Sequence, residues 1–360
     1  MHEARQWDIR TGPGITALGI AATRALESQR PDRLVDDPYA AAFVAAVPSS
    51  IPTGLRWPQA GAAVSEVEAF FMQSTRYIGV RTRFFDDVLT AACREGCEQV
   101  VILAAGLDSR AYRLEWPPGV RLFEIDQPDV LAFKNQVLDS QGAVAACVRY
   151  TVGINLQDDW PAALRGAGFD PSVPTAWLAE GLLMYLPAQA EARLYAGIHD
   201  MSAPGSQLSV EHQAEPGILK RSSQELDAIR QVSPADGQLL QSDARPSAGR
   251  WLTDHGWSAI NQTSTAVAER YGRQPHRAGG QQRTGTGHDD GRGHGVPVRP
   301  SRRLTPYTTR PPPRRGRHVP DSGRSPANAT PSMTSRYPLI SVRRSCQAFG
   351  WVDRSSSVPA

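Results

Sequence analysis

Two rhythms of apolar and polar residues divide this chain. Between residues 99 and 210, five short runs read as strands: Gln99–Ala104, Leu122–Ile125, Cys147–Val152, Ala176–Leu178 and Gln207–Val210. The first, with Val100-Val101-Ile102-Leu103 at its heart, is continuously apolar, as a strand covered on both faces must be. Helical periodicity fills the gaps at Asp129–Leu138, Trp160–Ala167 and Ala188–Met201. Alternating strands and helices predict right-handed βαβ units, hence an α/β, Rossmann-like, doubly wound and mostly parallel sheet whose ligands bind at the carboxyl ends of its strands.

Upstream, Ile15–Gln29 predicts a helix after the Gly12-Pro13-Gly14 turn, and Asp36-Asp37-Pro38-Tyr39 reads as another helix start. Val64–Tyr77 and Arg81–Arg94 predict two more, the second with Phe84, Phe85, Val88, Leu89 and Ala92 on one side. Residues 1–96 thus form an N-terminal helical cover and 97–272 the ligand-binding domain, which ends in a helix at Trp251–Trp257 and a strand at Ser258–Gln262. Past Tyr271-Gly272 the periodicity vanishes and Arg, Pro, Gly, Ser and Thr dominate. Such composition cannot bury enough apolar surface to offset its ordering entropy, so residues 273–360 read as a disordered tail.

Charge sharpens that division. The net +3 of the chain is the sum of a tail with 16 Arg against 4 Asp, without Lys or Glu, and a body with 23 basic against 32 acidic residues. Clustered Arg draws phosphate nonspecifically, so the tail admits a nucleic-acid-binding reading, although few aromatics interleave it for stacking. The 4 cysteines are too few for a disulfide framework and indicate a reducing compartment. With neither an apolar leader nor a long apolar run, the sequence reads as cytoplasmic.

Candidate chemistry sits where the first two strands end. The first breaks at Gly106-Leu107-Asp108-Ser109-Arg110, and the second closes on Asp126, placed to accept hydrogen bonds from a ribose diol. The same spacing suits an ordinary βα turn, and the sheet with Asp126 also admits a nicotinamide oxidoreductase. The GxGxxG fingerprint is absent, however, which argues against a dinucleotide and for a ligand with no pyrophosphate to cradle.

Five ordered motifs carry a resemblance: Arg81-Thr82-Arg83-Phe84-Phe85-Asp86-Asp87; Leu103-Ala104-Ala105-Gly106-Leu107-Asp108-Ser109-Arg110-Ala111-Tyr112-Arg113-Leu114; Phe123-Glu124-Ile125-Asp126-Gln127-Pro128; Asp158-Asp159-Trp160-Pro161; and Trp177-Leu178-Ala179-Glu180-Gly181-Leu182-Leu183-Met184-Tyr185-Leu186. Over Ile15 to Gly272 the chain resembles the actinobacterial, largely mycobacterial, S-adenosylmethionine-dependent methyltransferases related to leucine carboxyl methyltransferases. The resemblance implies a class I methyltransferase fold. It also implies that Asp126 takes the ribose hydroxyls, Gly106 with Ala105 and Asp108 lines the methionyl end, Arg81 pairs with the methionine carboxylate, and Glu180 meets the amino group. Where the family holds the adenine with an Asp-Leu pair, this chain has Asn155-Leu156, an acceptor without charge assistance that weakens binding by about 1 kcal/mol. Family members continue into a final apolar strand that closes the sheet. Nothing here reads as that strand, and the switch in composition resembles the out-of-frame end of a shifted gene.

The implied activity is O-methylation of a small-molecule or lipid-like acceptor. Methyl transfer from a sulfonium needs alignment and exclusion of water rather than acid–base chemistry. A carboxylate acceptor needs no base; for a hydroxyl acceptor His212 is the candidate, and no catalytic residue is otherwise assigned. Tyr185 and Arg110 are candidates to line the acceptor pocket. Cys93 and Cys97 lack the further ligands of a metal site and read as packed thiols, while Asp36-Asp37 and Asp158-Asp159 read as helix caps rather than cation ligands.

Overall fold

A computed structural model describes residues 9, 13–47, 55–59, 62–212, 248–273 and 339–344. All of them belong to one compact unit made of residues 1–276 and 332–360. The elements run α1 (Pro13–Ser28), α2 (Ala40–Ala45), α3 (Glu66–Arg94), β1 (Gln99–Leu103), α4 (Arg110–Arg113), β2 (Arg121–Asp126), α5 (Pro128–Ser140), β3 (Val148–Gly153), α6 (Trp160–Gly166), β4 (Thr175–Ala179), a 3₁₀ turn (Leu183–Tyr185), α7 (Ala188–Asp200), β5 (Gln207–Glu211), α8 (Ala248–Asp254), β6 (Trp257–Gln262), α9 (Ser264–Arg270) and β7 (Leu339–Arg344).

The seven strands are ordered β3-β2-β1-β4-β5-β7-β6. β1 to β5 are parallel, with β1 central between β2 and β4. The order reverses beside β1, where a doubly wound sheet opens its ligand crevice at the carboxyl edge. Successive side chains of the central strands divide between two cores. Val101, Leu103, Phe123, Ile125 and Trp177 pack under α6 and α7, while Val100, Ile102, Leu122 and Leu178 pack against α3 and α9. That two-sided covering is why β1 and β4 read as apolar runs.

Two expectations require correction. The closing strand exists: β7 lies antiparallel between β5 and β6, pairing Leu339 with Glu211 on one side and with Gln262 on the other. Leu339 enters one core and Val342 the other, both buried. The disordered-tail expectation therefore fails at Leu339–Arg344, and at Arg273, whose guanidinium pairs with Glu27 and Asp32. The remainder, 274–338 and 345–360, lies outside the described residues, as does the nucleic-acid reading that rests on it. Secondly, the two helices expected over Val64–Arg94 are one, α3, started by a capping box between Ser65 and Glu68. Gly79 is not a break: a Cβ there would stand 2.7 Å from Glu27 Cδ, so the glycine lets α1 and α3 approach closely. The helix expected at Trp251–Trp257 begins and ends three residues earlier, and α9 had no signal strong enough to read.

Candidate active site

β1 leaves the sheet through a tight turn in which Ala104 (φ 51°) and Gly106 (φ 47°) are both left-handed. Glycine adopts this conformation freely, whereas alanine does so at a cost of about 1–2 kcal/mol. A Cβ on Gly106 would meet only ordinary contacts at 3.9 Å, so its backbone angle is what calls for glycine there. Ala104→Gly is expected to stabilise the fold by up to about 1 kcal/mol, net of glycine's larger unfolded-state entropy, in urea denaturation; a loss of stability would mean the turn is unstrained.

The turn aims backbone donors at the end of β2. Gly106 N–H donates to Asp126 Oδ2 (2.6 Å) and Gln127 N–H to Asp126 Oδ1 (2.7 Å). Burial pushes the Asp126 carboxyl above its usual range, opposed by those two N–H groups and by the charge of Lys134.

Beside this pair the ends of β1, β4 and β5 meet α3 in a network of buried charges. Arg81 on α3 stands 2.8 Å from Glu180 after β4 and donates to Glu211 at the end of β5 (2.9 Å). Glu180 accepts from Arg110 (2.7 Å), which also donates to Asp86 (2.7 Å) and to Asp108, the latter a very close contact. Arg113 clamps Asp86 with two hydrogen bonds of 2.7 and 2.8 Å, a bidentate geometry that lysine cannot reproduce. Burial opposes the charge on Asp108, but Arg110, with Lys134 and Arg113 behind it, overrides that and holds its carboxyl at about 2. The structure thus brings Arg81, Glu180, Gly106 and Asp126 to one edge. Asp108, expected to line the methionyl end, is turned onto Arg110, which also holds Glu180.

The end of β3 adjoins the same edge, since Ile154 N–H donates to the Asp126 carbonyl at 2.8 Å. Asn155 is exposed, its Oδ1 accepting the Gln157 N–H at 2.9 Å, so the carbonyl expected to meet the ligand also caps its own turn. Leu156 packs against the core and, with Trp160, Leu186 and Leu194, walls a cleft of about 190 Å³.

Glu211, outside the expected set, also belongs to this edge. Glu211 closes β5 as Asp126 closes β2, a strand ending on an acid that could have flagged it; it accepts from Arg81, Gly181 N–H (2.9 Å) and, very closely, Tyr77. Asp37 caps α2 by accepting from Tyr39 N–H (3.1 Å) and Ala40 N–H (3.2 Å), and also holds Arg24 and Ser109; Asp159 caps α6 through Ala162 N–H (3.1 Å). His212 is buried, its Nδ1 4.0 Å from Glu191, and Tyr185 is half-buried in the 3₁₀ turn. Cys93 and Cys97 are buried thiols pushed up by desolvation to about 12 and about 11. No grouping among the described residues could hold a metal ion.

Comparison with known proteins places the chain in a family. Residues 17–199 match the Leucine carboxyl methyltransferase family. The chain belongs to that family. A protein of Saccharopolyspora erythraea is 47% identical over 257 residues, covering 71% of this chain and 87% of its own length. One of Rhodococcus jostii is 46% identical over 275 residues, covering 74% and 90%, and one of Mycobacteroides abscessus 43% identical over 279 residues, covering 75% and 90%. All three bear the name "Putative S-adenosyl-L-methionine-dependent methyltransferase". An O-methyltransferase family protein of Burkholderia thailandensis aligns at 13% identity and a TM-score of 0.38 over 79% of this chain and 64% of that one, too distant a likeness to carry an argument.

This family member is therefore an S-adenosylmethionine-dependent methyltransferase, and the nicotinamide oxidoreductase reading falls. The residues fit that cofactor by their own chemistry. In the network, Asp86, Asp108, Glu180 and Glu211 outnumber Arg81, Arg110 and Arg113 by one, and Asp126 adds a further carboxylate. An edge with surplus negative charge suits a ligand whose sulfonium and ammonium outnumber its single carboxylate. No helix among the described residues is long and apolar enough to cross a membrane.

Proposed function

We propose that this methyltransferase methylates a carboxylate oxygen of a small-molecule or lipid-like acceptor. Asp126 accepts from the ribose hydroxyls, Asn155 and Leu156 hold the adenine beside the cleft, and Gly106 with Ala105 gives the methionyl chain room against the backbone. Arg81 takes the methionine carboxylate through the guanidinium edge outside its contacts with Glu180 and Glu211. Glu180 takes the amino group, and Asp108 acts behind it by fixing Arg110. When bound, the cofactor supplies an electrophilic methyl on its sulfonium. What this chain adds is alignment and exclusion of water.

The observation that carries the carboxylate reading is the state of the ionisable groups at the edge. Asp86, Asp108, Glu180 and Glu211 are all engaged by guanidiniums, so none of these four is free to deprotonate a hydroxyl. A carboxylate is ionised at neutral pH and needs no such base. The match to a leucine carboxyl methyltransferase family supports the same choice. The unpaired thiols Cys93, Cys97 and Cys147 support a reducing, cytoplasmic setting.

Methyl-labelled cofactor offered with pooled bacterial metabolites tests this reading. Label in the product is expected to be released as volatile methanol by mild alkali, as methyl esters are. Alkali-stable label would identify an ether and return His212 to candidacy as the base.

A further inference from the structure

Beneath Asp126 lies a charged layer that the proposed contacts with the cofactor do not use. Glu124 sits two residues before Asp126 on β2 and therefore on the same face of the strand, fully buried. Arg149 on β3 already neutralises it, with Nε and Nη2 at 3.0 and 2.6 Å from Glu124 Oε2. Yet Lys134, two turns into α5, is also fully buried, with its ammonium 2.9 Å from the same oxygen. That approach lacks hydrogen-bond alignment: Lys134 Nζ and Glu124 Oε1 are both buried without a hydrogen-bond partner.

An ammonium removed from water is retained at a cost unless its charge is used. Here Glu124 is spoken for, and the layer of Glu124, Lys134 and Arg149 carries one surplus positive charge. The carboxylates above it are Asp126 on β2 and Asp108 in the turn after β1, and the field of Lys134 acts on both. The other ionisable groups facing the layer are Tyr112 on α4, stacked under the Arg149 guanidinium at 5.3 Å, Asp139 on α5, and Cys147 ahead of β3. None of these is a cation. Against the charge of Asp126 stand burial, the largest effect, and then Glu124; beside Lys134, two backbone N–H groups favour it.

We propose that Lys134 is a positioning residue of the cofactor site, its surplus buried charge keeping the Asp126 carboxylate ionised and available to the ribose. This rests on the reading of Asp126 as the ribose acceptor. The sign follows from it: a protonated Asp126 loses an acceptor, so cofactor affinity falls as pH drops through its titration, and removing the ammonium moves that fall to higher pH.

The test is calorimetric titration of S-adenosylmethionine into the full chain between pH 5 and 8. Lys134→Met is expected to move the midpoint of affinity loss upward by about one pH unit, and it leaves Glu124 paired with Arg149. The double variant Glu124→Gln with Lys134→Met removes one charge of each sign, restores the layer's surplus, and is expected to return the midpoint toward that of the parent. It also serves if the single variant does not fold. A Lys134→Met protein that melts earlier but keeps the parental pH profile overturns the proposal, as does a double variant that stays displaced. Should the parent bind at every pH with Asp126→Asn unaltered, the reading of Asp126 itself fails, and the role of Lys134 with it. A parent that binds at no pH removes both.

Discussion

A chain ended at Gly272 is expected not to fold, whereas one in which 274–338 is replaced by a short flexible linker is expected to melt within a few degrees of the full protein. The first change removes β7, which pairs with β5 from Gln207 to Glu211 and with β6 from Trp257 to Gln262. It strips two ladders at once and takes Leu339 and Val342 out of the two cores. Burial lost at each such apolar side chain is about 2–5 kcal/mol, before the ladders are counted, against a total stability of about 5–15 kcal/mol for a typical domain. It also leaves β5 and β6 with unpaired edges, a template for aggregation. The second change keeps all of this. Leu339 lies beside Gln262, so a linker from the end of α9 need return only the length of that helix. About eight Gly/Ser residues, spanning roughly 15 Å, suffice. Circular dichroism melting of the two proteins checks the pair. A cooperative transition in the chain ended at Gly272 would show that β7 is dispensable to the sheet.

The second large effect is expected at Asp126. Asp126→Ala removes the charged acceptor at the end of β2 and frees the N–H groups of Gly106 and Gln127 that now converge on it. Hydrogen bonds to a charged group are worth about 1.5–3 kcal/mol each, so cofactor affinity should fall by about 10- to 100-fold or more, and the two freed N–H groups should also lower the melting temperature. An unchanged affinity in a folded variant would place the ribose elsewhere.

What could be read in advance, and what could not, follows from how local each signal is. β1, β2 and β4 announce themselves because a strand covered on both faces is largely apolar, and their turns lie within a few residues. Asp126 is visible because it ends such a run. β7 is not, since Leu339-Ile340-Ser341-Val342 is a short run set among Arg-rich sequence, and its meaning comes from partners at 207–211 and 257–262 that only the folded sheet supplies. The continuity of α3 across Gly79 is equally non-local, since what that glycine serves is the close approach of the neighbouring α1. At the site, the sequence shows which charges exist but not which neutralise each other. Asp108 and Arg110, two residues apart, pair with each other, and the buried Glu124–Lys134–Arg149 layer joins three elements that no spacing rule connects.

The most direct test of the whole account is the heat of S-adenosylmethionine binding to the intact, folded chain, with NAD titrated in parallel. The account predicts saturable one-to-one binding of S-adenosylmethionine, with none for NAD. A folded chain that binds neither would contradict it, leaving the methyltransferase sheet complete but its carboxyl edge without a cofactor.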